Sequence, residues 1–291
     1  MSPSADLRSG AEALAGGLPP LLAEAQQLAS TVLLGEHGRR RAGVGSEFWQ
    51  YRPAHGGDEA RLIDWRRSAR SDTQFVRERE WQAAQSVMIW ADGGQSMRFA
   101  SEKGLPQKAD RAALLAMASA VLLIRGGERV GLTRLGTPPR SGELQLLRIA
   151  ESLSGAGEAA EYAAPSLRGL PAHARALFLS DFLGDPEALS QALTKAADRG
   201  VKGTLLMVLD PQEEAFPFDG RTVFESMGHT MRYETQKARD LKDRYLERLA
   251  ERKDLLARLA ARTGWQFSVH HTDSPAQGAL LWLHGAIGGR V

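Results

Sequence analysis

Residues 86–96 read SVMIWADGGQS, and this stretch decides the fold class. Its apolar run, Val87–Trp90, is typical of a buried strand. The run ends at Asp92, which is followed by two glycines that favour a tight turn. The stretch therefore predicts a strand that is buried on both faces, as in parallel sheets, and that stops at a carboxylate.

The same pattern returns twice further along the chain. Ala176–Leu179 leads to Asp181, and Leu205–Leu209 leads to Asp210. Further strands are predicted at residues 130–135, 222–233 (a pair of short strands) and 265–270. Helical patterns are found at residues 106–124, 143–154, 186–199, 235–262 and 275–285. This alternation predicts a doubly wound, mostly parallel α/β sheet, in which ligands bind beyond the carboxyl ends of the strands.

The composition excludes several classes of protein. A chain of 291 residues that is 43% hydrophobic and 25% charged can bury a full core. The formal net charge of +2 is too close to neutral to indicate nucleic-acid binding. The absence of cysteine excludes disulfides and zinc–thiolate sites and agrees with a reducing compartment. Because the sequence also shows no secretory pattern and no apolar run long enough to span a bilayer, we expect a soluble cytoplasmic protein.

The turn at Asp92 is the first candidate site. Residues 92–96, DGGQS, resemble the D-x-S-x-S loop of von Willebrand factor A-like domains, which holds a divalent cation at a strand-to-helix turn. The resemblance implies Mg²⁺ or another divalent cation on Asp92, Ser96 and Asp181, since such ions prefer oxygen ligands. Gly94 stands where that loop has a second serine, and residues 155–167 contain no threonine to complete the shell. The alternative is structural: these carboxylates cap helices or accept backbone amides.

A second informative stretch, residues 43–80, carries several motifs in order. The residues that form them are Gly43, Gly45, Glu47, Phe48, Tyr51, Arg52, Gly57, Asp58, Arg61, Ile63, Asp64, Trp65, Ser68, Ala69 and Arg70. They closely resemble the signature of the domain-of-unknown-function 58 family, which combines G-x-G-x-E-F, G-D-x-x-R-x-I-D-W and S-A-R. The resemblance implies a von Willebrand factor A-like domain after the signature. It also implies an association with MoxR-type AAA+ ATPases, which are thought to remodel or assemble other proteins.

The charges of the signature are balanced. Residues 58–80 contain six arginines and six carboxylates, interleaved with apolar side chains. Paired guanidinium and carboxylate groups suit an irregular segment that is braced against the sheet, because such a segment has many backbone groups to satisfy. Under this interpretation Glu47, Asp58, Arg61, Asp64, Trp65, Ser68 and Arg70 are structural. The alternative is that Arg66, Arg67 and Arg70 face outward and receive an acidic partner.

Three regions are predicted along the chain. Residues 1–34 form a helical segment with two short helices, residues 35–80 form the signature module, and residues 81–291 form the von Willebrand factor A-like domain. Within the module, residues 35–45, which include Arg39–Arg41, are expected to form an exposed turn.

These features predict a non-catalytic adaptor that acts with a MoxR-type AAA+ ATPase or with a client protein. The face around Asp92, Ser96 and Asp181 is expected to contact the partner. The alternative function is a metal-dependent hydrolase that uses Asp92 and Asp181 as ligands and His270 or His271 as base. A nucleic-acid role is less favoured, because the sequence contains no helix-turn-helix or RNA-binding motif.

Overall fold

The computed structural model describes residues 19–32, 39–55, 58–71, 73–155 and 160–288, and for residues 39–50 and 77–83 it describes the backbone only. The described residues fall into two compact units, one within Met1–Gly35 and Ser86–Val291 and the other within Glu36–Gln85. We call them the α/β unit and the signature unit. None of the helices among the described residues is long and apolar enough to cross a membrane.

Helices and strands alternate along most of the chain. The helices are α1 (Pro20–Ser30), α2 (Trp65–Ser68), α3 (Lys108–Arg125), α4 (Glu143–Ser154), α5 (Pro186–Asp198), α6 (Pro211–Ala215), α7 (Lys242–Thr263) and α8 (Ala276–Gly288). The strands are β1 (Arg39–Pro53), β2 (Phe75–Ala83), β3 (Ser86–Ala91), β4 (Arg129–Leu132), β5 (Arg175–Ser180), β6 (Lys202–Leu209), β7 (Thr222–Glu225), β8 (Arg232–Thr235) and β9 (Gln266–His271). Short 3₁₀ turns lie at Ala60–Leu62, Gln95–Arg98, Thr133–Leu135 and Ala238–Leu241.

The α/β unit is built on a five-stranded sheet in the order β4-β3-β5-β6-β9, with every neighbouring pair parallel. This confirms the predicted α/β class with a parallel sheet flanked by helices. The order of the strands reverses direction between β3 and β5. In open parallel sheets such a reversal opens a crevice at the carboxyl ends of the two strands, where ligands bind.

Helices cover both faces of this sheet, because its strands carry apolar side chains on both sides. Val87 and Ile89 point to one face, where they join a buried cluster with α1, α3, α4 and α8. Met88 and Trp90 point to the other face and join a cluster with α5 and α7. Trp90 lies edge-on to Phe178, with ring centroids 5.5 Å apart. The sheet is therefore the middle layer of three. Its carboxyl edge, by which we mean the end of the sheet where the parallel strands have their carboxyl ends, is where a site is expected.

The signature unit differs from its prediction. It was expected to be irregular, but β1 and β2 form an antiparallel pair, with irregular register between Gly43 and Phe48. Arg39–Arg41, predicted in an exposed turn, have their backbone in this pair, opposite residues 81–83. Backbone pairing between the two strands, rather than a network of arginines alone, therefore satisfies part of the main chain here.

Several boundaries in the α/β unit also need correction. The helix predicted from residue 235 begins at Lys242, because Arg232–Thr235 pair with β7 as a strand. The strand predicted to end at residue 135 ends at Leu132, where a 3₁₀ turn begins. Of the two N-terminal helices predicted, α1 is described, and the earlier one lies outside the described residues.

Candidate functional site at the carboxyl edge of the sheet

Three carboxylates follow neighbouring strands at the open edge of the sheet. Asp92 follows β3, Asp181 follows β5 and Asp210 follows β6, and all three side chains are buried. Asp210 N-caps α6 and also accepts the backbone N–H of Ser101 at 2.9 Å. The predicted positions of Asp92 and Asp181 at strand ends are therefore correct, and the two strands they follow flank the crevice between β3 and β5.

The carboxylate of Asp92 is held within the turn that follows it. One oxygen accepts the backbone N–H of Gly94 at 2.7 Å, and the other accepts the hydroxyl of Ser180 at 2.6 Å. The Ser180 hydroxyl in turn accepts the backbone N–H of Phe182 at 2.9 Å. These bonds join the ends of β3 and β5, as the structural alternative for Asp92 predicts.

Gly94 is required by close packing. The backbone N–H groups of Gln95 and Ser96 donate to the carbonyls of Ala160 and Glu161, both at 2.9 Å, so that the loop after α4 lies directly on the turn. A Cβ atom at Gly94 would lie 2.9 Å from the carbonyl oxygen of Glu161, and backbone of this kind cannot move aside cheaply. The missing serine of the metal-binding pattern is thus a steric consequence of this loop.

The centre of the site is a lysine that the sequence analysis did not identify. Lys108 is the first residue of α3, and only 1% of its side chain is exposed. Its Nζ atom lies 2.9 Å from Oδ2 of Asp181 and 2.6 Å from Oε1 of Glu213. Burial alone would lower the pKa of Lys108, but the two carboxylates outweigh burial and raise it. Lys108 is therefore a buried ammonium at neutral pH, held between two carboxylates.

The position of Lys108 explains why it needs two partners. A cation at the N-terminus of a helix is opposed by the helix macrodipole, and a buried cation loses its hydration. Glu213 comes from α6, where it also accepts the backbone N–H of Asp210 at 2.9 Å as part of a capping box. Burial raises the pKa of Glu213, against the opposing effect of the Lys108 ammonium. A lysine as the first residue of a helix, where the macrodipole opposes it, is a sequence signal that could have identified this site.

The residues at this edge do not fit a hard divalent cation. The buried hydroxyl of Ser96 has no hydrogen-bond partner among the described residues, which favours an added ligand. Against it, the Asp181 carboxylate is bound to an ammonium, and Gly94 contributes no side-chain oxygen. In the described part of the chain, no three His, Asp or Glu side chains are grouped as metal ligands. A cation that prefers a near-octahedral oxygen shell would find too few oxygens.

The two histidines of the hydrolase alternative lie on β9, two strands away from β5. His270 is buried 3.4 Å from the guanidinium of Arg111, and burial together with Arg111 lowers its pKa to about 4. His271 pairs with Glu214. The contacts described for these histidines thus run to Arg111 and Glu214, not to Asp92 or Asp181.

A large cavity opens beside the lysine. It has a volume of about 970 Å³, and both Ser96 and Lys108 line it. We call it the edge cavity. More of its lining surface is apolar than polar, and the aromatic side chains Phe99, Phe216, Phe218, Phe224, Tyr233 and Tyr245 are among the lining residues. Tyr245 donates a hydrogen bond to the carbonyl of Glu213 at 2.6 Å, and burial raises the pKa of Tyr245 to about 12.

Several aromatic and aliphatic side chains on the rim of the edge cavity are exposed to a large extent. Tyr233 on β8 is 56% exposed, Val223 on β7 is 42% exposed and Tyr162 is 38% exposed. Exposed aromatic residues around a concave apolar surface are typical of binding sites. The β7–β8 pair, which the sequence analysis predicted but did not connect with function, is thus part of the candidate site.

In the signature unit, several motif residues form structural hydrogen bonds. The carboxylate of Asp58 receives both terminal nitrogens of Arg52, at 2.5 and 2.7 Å, and this pairing holds the pKa of Asp58 far below its usual value. Asp64 caps α2 through the backbone N–H of Arg67 at 3.0 Å. The hydroxyl of Ser68 accepts the backbone N–H of Phe75 at 2.9 Å. The predicted structural role is therefore seen for Asp58, Asp64 and Ser68.

Other motif residues face solvent. Trp65 is 58% exposed, Arg70 is exposed, and Arg61 pairs with Glu59 at the surface. The structural interpretation of Trp65 and Arg70 as a brace finds no such contact among the described residues. The side chain of Glu47 lies outside the described residues.

A second concave surface lies within the signature unit. It has a volume of about 590 Å³, and we call it the arginine cavity. Its lining residues are Tyr51, Asp64, Arg66, Arg67, Arg70, Ser71 and Phe75. The guanidinium of Arg67 lies 4.3 Å from the centre of the Tyr51 ring and 5.2 Å from that of Phe75. Two aromatic rings therefore hold one arginine in place beside two others.

Comparison with known proteins identifies the family. This chain is similar to the solved structure of the conserved hypothetical protein BatB from Bacteroides thetaiotaomicron, with 14% identity and a TM-score of 0.41. It is also similar to the solved structure of an aerotolerance-related membrane protein from Bacteroides fragilis NCTC 9343, with 15% identity and a TM-score of 0.38. Each match covers 70% of this chain and 98% of the solved chain. No curated protein matches the sequence. The family described as protein of unknown function DUF58 matches residues 50–254, which include most of the signature and the strand-end carboxylates. The chain belongs to the DUF58 family.

Proposed function

We propose that this chain is a non-catalytic, cytoplasmic interaction protein that binds a partner protein in its edge cavity. The proposal takes the α/β unit as von Willebrand factor A-like and the partner as a MoxR-type AAA+ ATPase, as the sequence resemblance implies. The single observation that carries it is the apolar wall of the edge cavity, with Val223 and Tyr233 exposed on its rim. Aromatic side chains in such positions provide most of the binding energy in many protein interfaces.

Three polar side chains that line the edge cavity have partners within the fold, which supports binding rather than turnover. Lys108 binds Glu213 and also Asp181, which does not line the cavity, and Tyr245 donates to a backbone carbonyl. A general base must have its lone pair available to the substrate, and a nucleophile needs a base beside it. These contacts stabilise the wall of the cavity.

The proposal is tested with a double variant on the rim, Val223→Asp with Tyr233→Asp. Both residues are exposed, so folding should be preserved, while two carboxylates on an apolar rim should weaken capture of a purified MoxR-type ATPase more than tenfold. The control is Leu144→Asp, since Leu144 on α4 is 62% exposed and lies outside the edge cavity. Equal capture by the double variant and the control would overturn the proposal.

The hydrolase alternative has its own test. Phosphatase and esterase substrate panels are expected to show no turnover with the purified chain. Turnover that is lost in Asp181→Ala and depends on an added divalent metal would instead favour the enzyme.

A further inference from the structure

The positive charge at the carboxyl edge of the sheet comes from a side chain. Lys108 Nζ lies within hydrogen-bond distance of Asp181, the carboxylate that the sequence resemblance assigns to a cation, and of Glu213 from a different helix. Its side chain is 1% exposed, so the ammonium is as enclosed as a bound ion would be. We propose that the Lys108 ammonium takes the place of a divalent cation at this edge, so that the site is permanently charged and independent of metal.

Lys108 and a metal ion exclude each other. Both need Asp181, and an ammonium a few ångströms from a dication repels it strongly in a buried site. The loop that packs on Gly94 removes a further oxygen ligand, since a serine there would collide with the backbone of Glu161. The two features act together: one occupies the carboxylate, and the other prevents the shell from being completed.

With Lys108 in place of a divalent cation, the edge cavity accepts a partner of different chemistry. A divalent ion with an open coordination position accepts a partner's carboxylate. Lys108 is flanked by two carboxylates, so the cluster has no surplus positive charge to attract a third. The partner segment that fits is therefore apolar rather than acidic. This point about the partner rests on the proposed function, whereas the proposal that Lys108 replaces the cation does not.

The test compares metal responses. The melting temperature of the wild-type chain is expected to be the same in EDTA and in millimolar Mg²⁺ or Mn²⁺, and calorimetric titration with either ion should give no binding heat. Lys108→Ala leaves two buried carboxylates without their cation, so its melting temperature should fall by roughly 10 °C, and added Mn²⁺ should not restore it because the loop on Gly94 still leaves the oxygen shell incomplete. The control, Lys103→Ala, changes an exposed lysine nearby and should behave as wild type.

A saturable Mg²⁺ or Mn²⁺ titration of the wild-type chain, or a rise in its melting temperature with either ion, would overturn the proposal that Lys108 replaces the cation. This arm needs no variant, so it holds even if Lys108→Ala does not fold. Failure to capture the ATPase with a flat metal titration counts against the proposed function alone.

The arginine cavity carries a second, independent inference. Among the described residues, the side chains of Arg66 and Arg70 contact no carboxylate, while both oxygens of Asp64 are engaged, by the backbone of Arg67 and by the hydroxyl of Tyr51 at 3.1 Å. Three arginines therefore face a concave surface whose carboxylate is already bonded. The geometry points to a binding site for an acidic protein segment, because guanidinium groups bind carboxylates in pairs of hydrogen bonds.

A glutamate-rich peptide tests this site by fluorescence anisotropy. Binding is expected to weaken about tenfold in Arg66→Ala with Arg70→Ala and to weaken as salt increases. Arg61→Ala is the matched control, since Arg61 is exposed but lies outside the cavity. Equal binding by the double variant and the control would overturn the inference, as would binding of inorganic phosphate but not of the peptide.

Discussion

The buried Lys108 and the exposed arginines of the arginine cavity differ in how their charges are compensated. Lys108 is enclosed in the α/β unit, with a carboxylate on either side. Arg66 and Arg70 are exposed on the surface of the signature unit, where they line the arginine cavity. A buried charge must be paired, so its partners become part of the fold; an exposed charge costs little to leave open and is available to a ligand. The depth of a cationic side chain, rather than its place in a motif, therefore indicates whether it supports the fold or a partner.

The largest expected effect comes from removing one carboxylate partner of the buried lysine. Asp181→Ala leaves Lys108 with Glu213 alone and should lower the free energy of unfolding by about 3 kcal/mol. Urea unfolding followed by circular dichroism measures it. A change no larger than that of an exposed charge would show that the buried cluster does not stabilise the fold.

The next largest effect is expected at Gly94. Gly94→Ser forces a side chain against the carbonyl of Glu161 and should destabilise the chain by about 1–3 kcal/mol, without creating a metal site. Gly104→Ser is the matched control, because a Cβ atom there has no neighbour within 4 Å. If Gly94→Ser were as stable as Gly104→Ser and bound Mg²⁺, the steric account of the missing ligand would be wrong.

Alkaline pH should weaken the α/β unit through its buried cluster. Burial raises the pKa of Tyr245 from 10.0 to about 12 in the folded state, so the unfolded chain loses this proton first. The free energy of unfolding therefore falls as the pH rises from about 10 to about 12. Lys108, whose pKa is also raised, contributes with the same sign. Urea titrations across this range should show a shallower decline in Tyr245→Phe, and an identical decline would contradict the assignment.

The smallest effect is expected on the exposed side of the comparison. If Arg70 were a structural brace, Arg70→Ala would lower thermal stability clearly, but its exposed position predicts a change within about 0.5 kcal/mol. Arg52→Ala is the comparison variant, since Arg52 is half-buried and bonds Asp58 through two nitrogens. Thermal melts of the two variants decide the point: a larger fall for Arg70→Ala would restore its role as a brace.

Much of the site's framework could be predicted from local pattern. The apolar runs that end at Asp92 and Asp181 are confirmed as the parallel strands β3 and β5, because a strand buried on both faces must be apolar throughout. The signature was harder to interpret. Its interleaved charges suggested an irregular segment, whereas β1 and β2 pair as strands, since strand pairing depends on a partner far along the chain.

The sequence by itself determined the α/β class, the carboxylates at the strand ends and the membership suggested by the motifs of residues 43–80, since each of these depends on neighbouring residues. Only the tertiary structure decided what those carboxylates bind. Lys108 is separated from Asp181 by 73 positions and from Glu213 by 105, and no local pattern relates residues so far apart. The change in the direction of strand order between β3 and β5 brings these three residues to the same end of the sheet. Because they are buried there, the ammonium and the carboxylates must pair with one another.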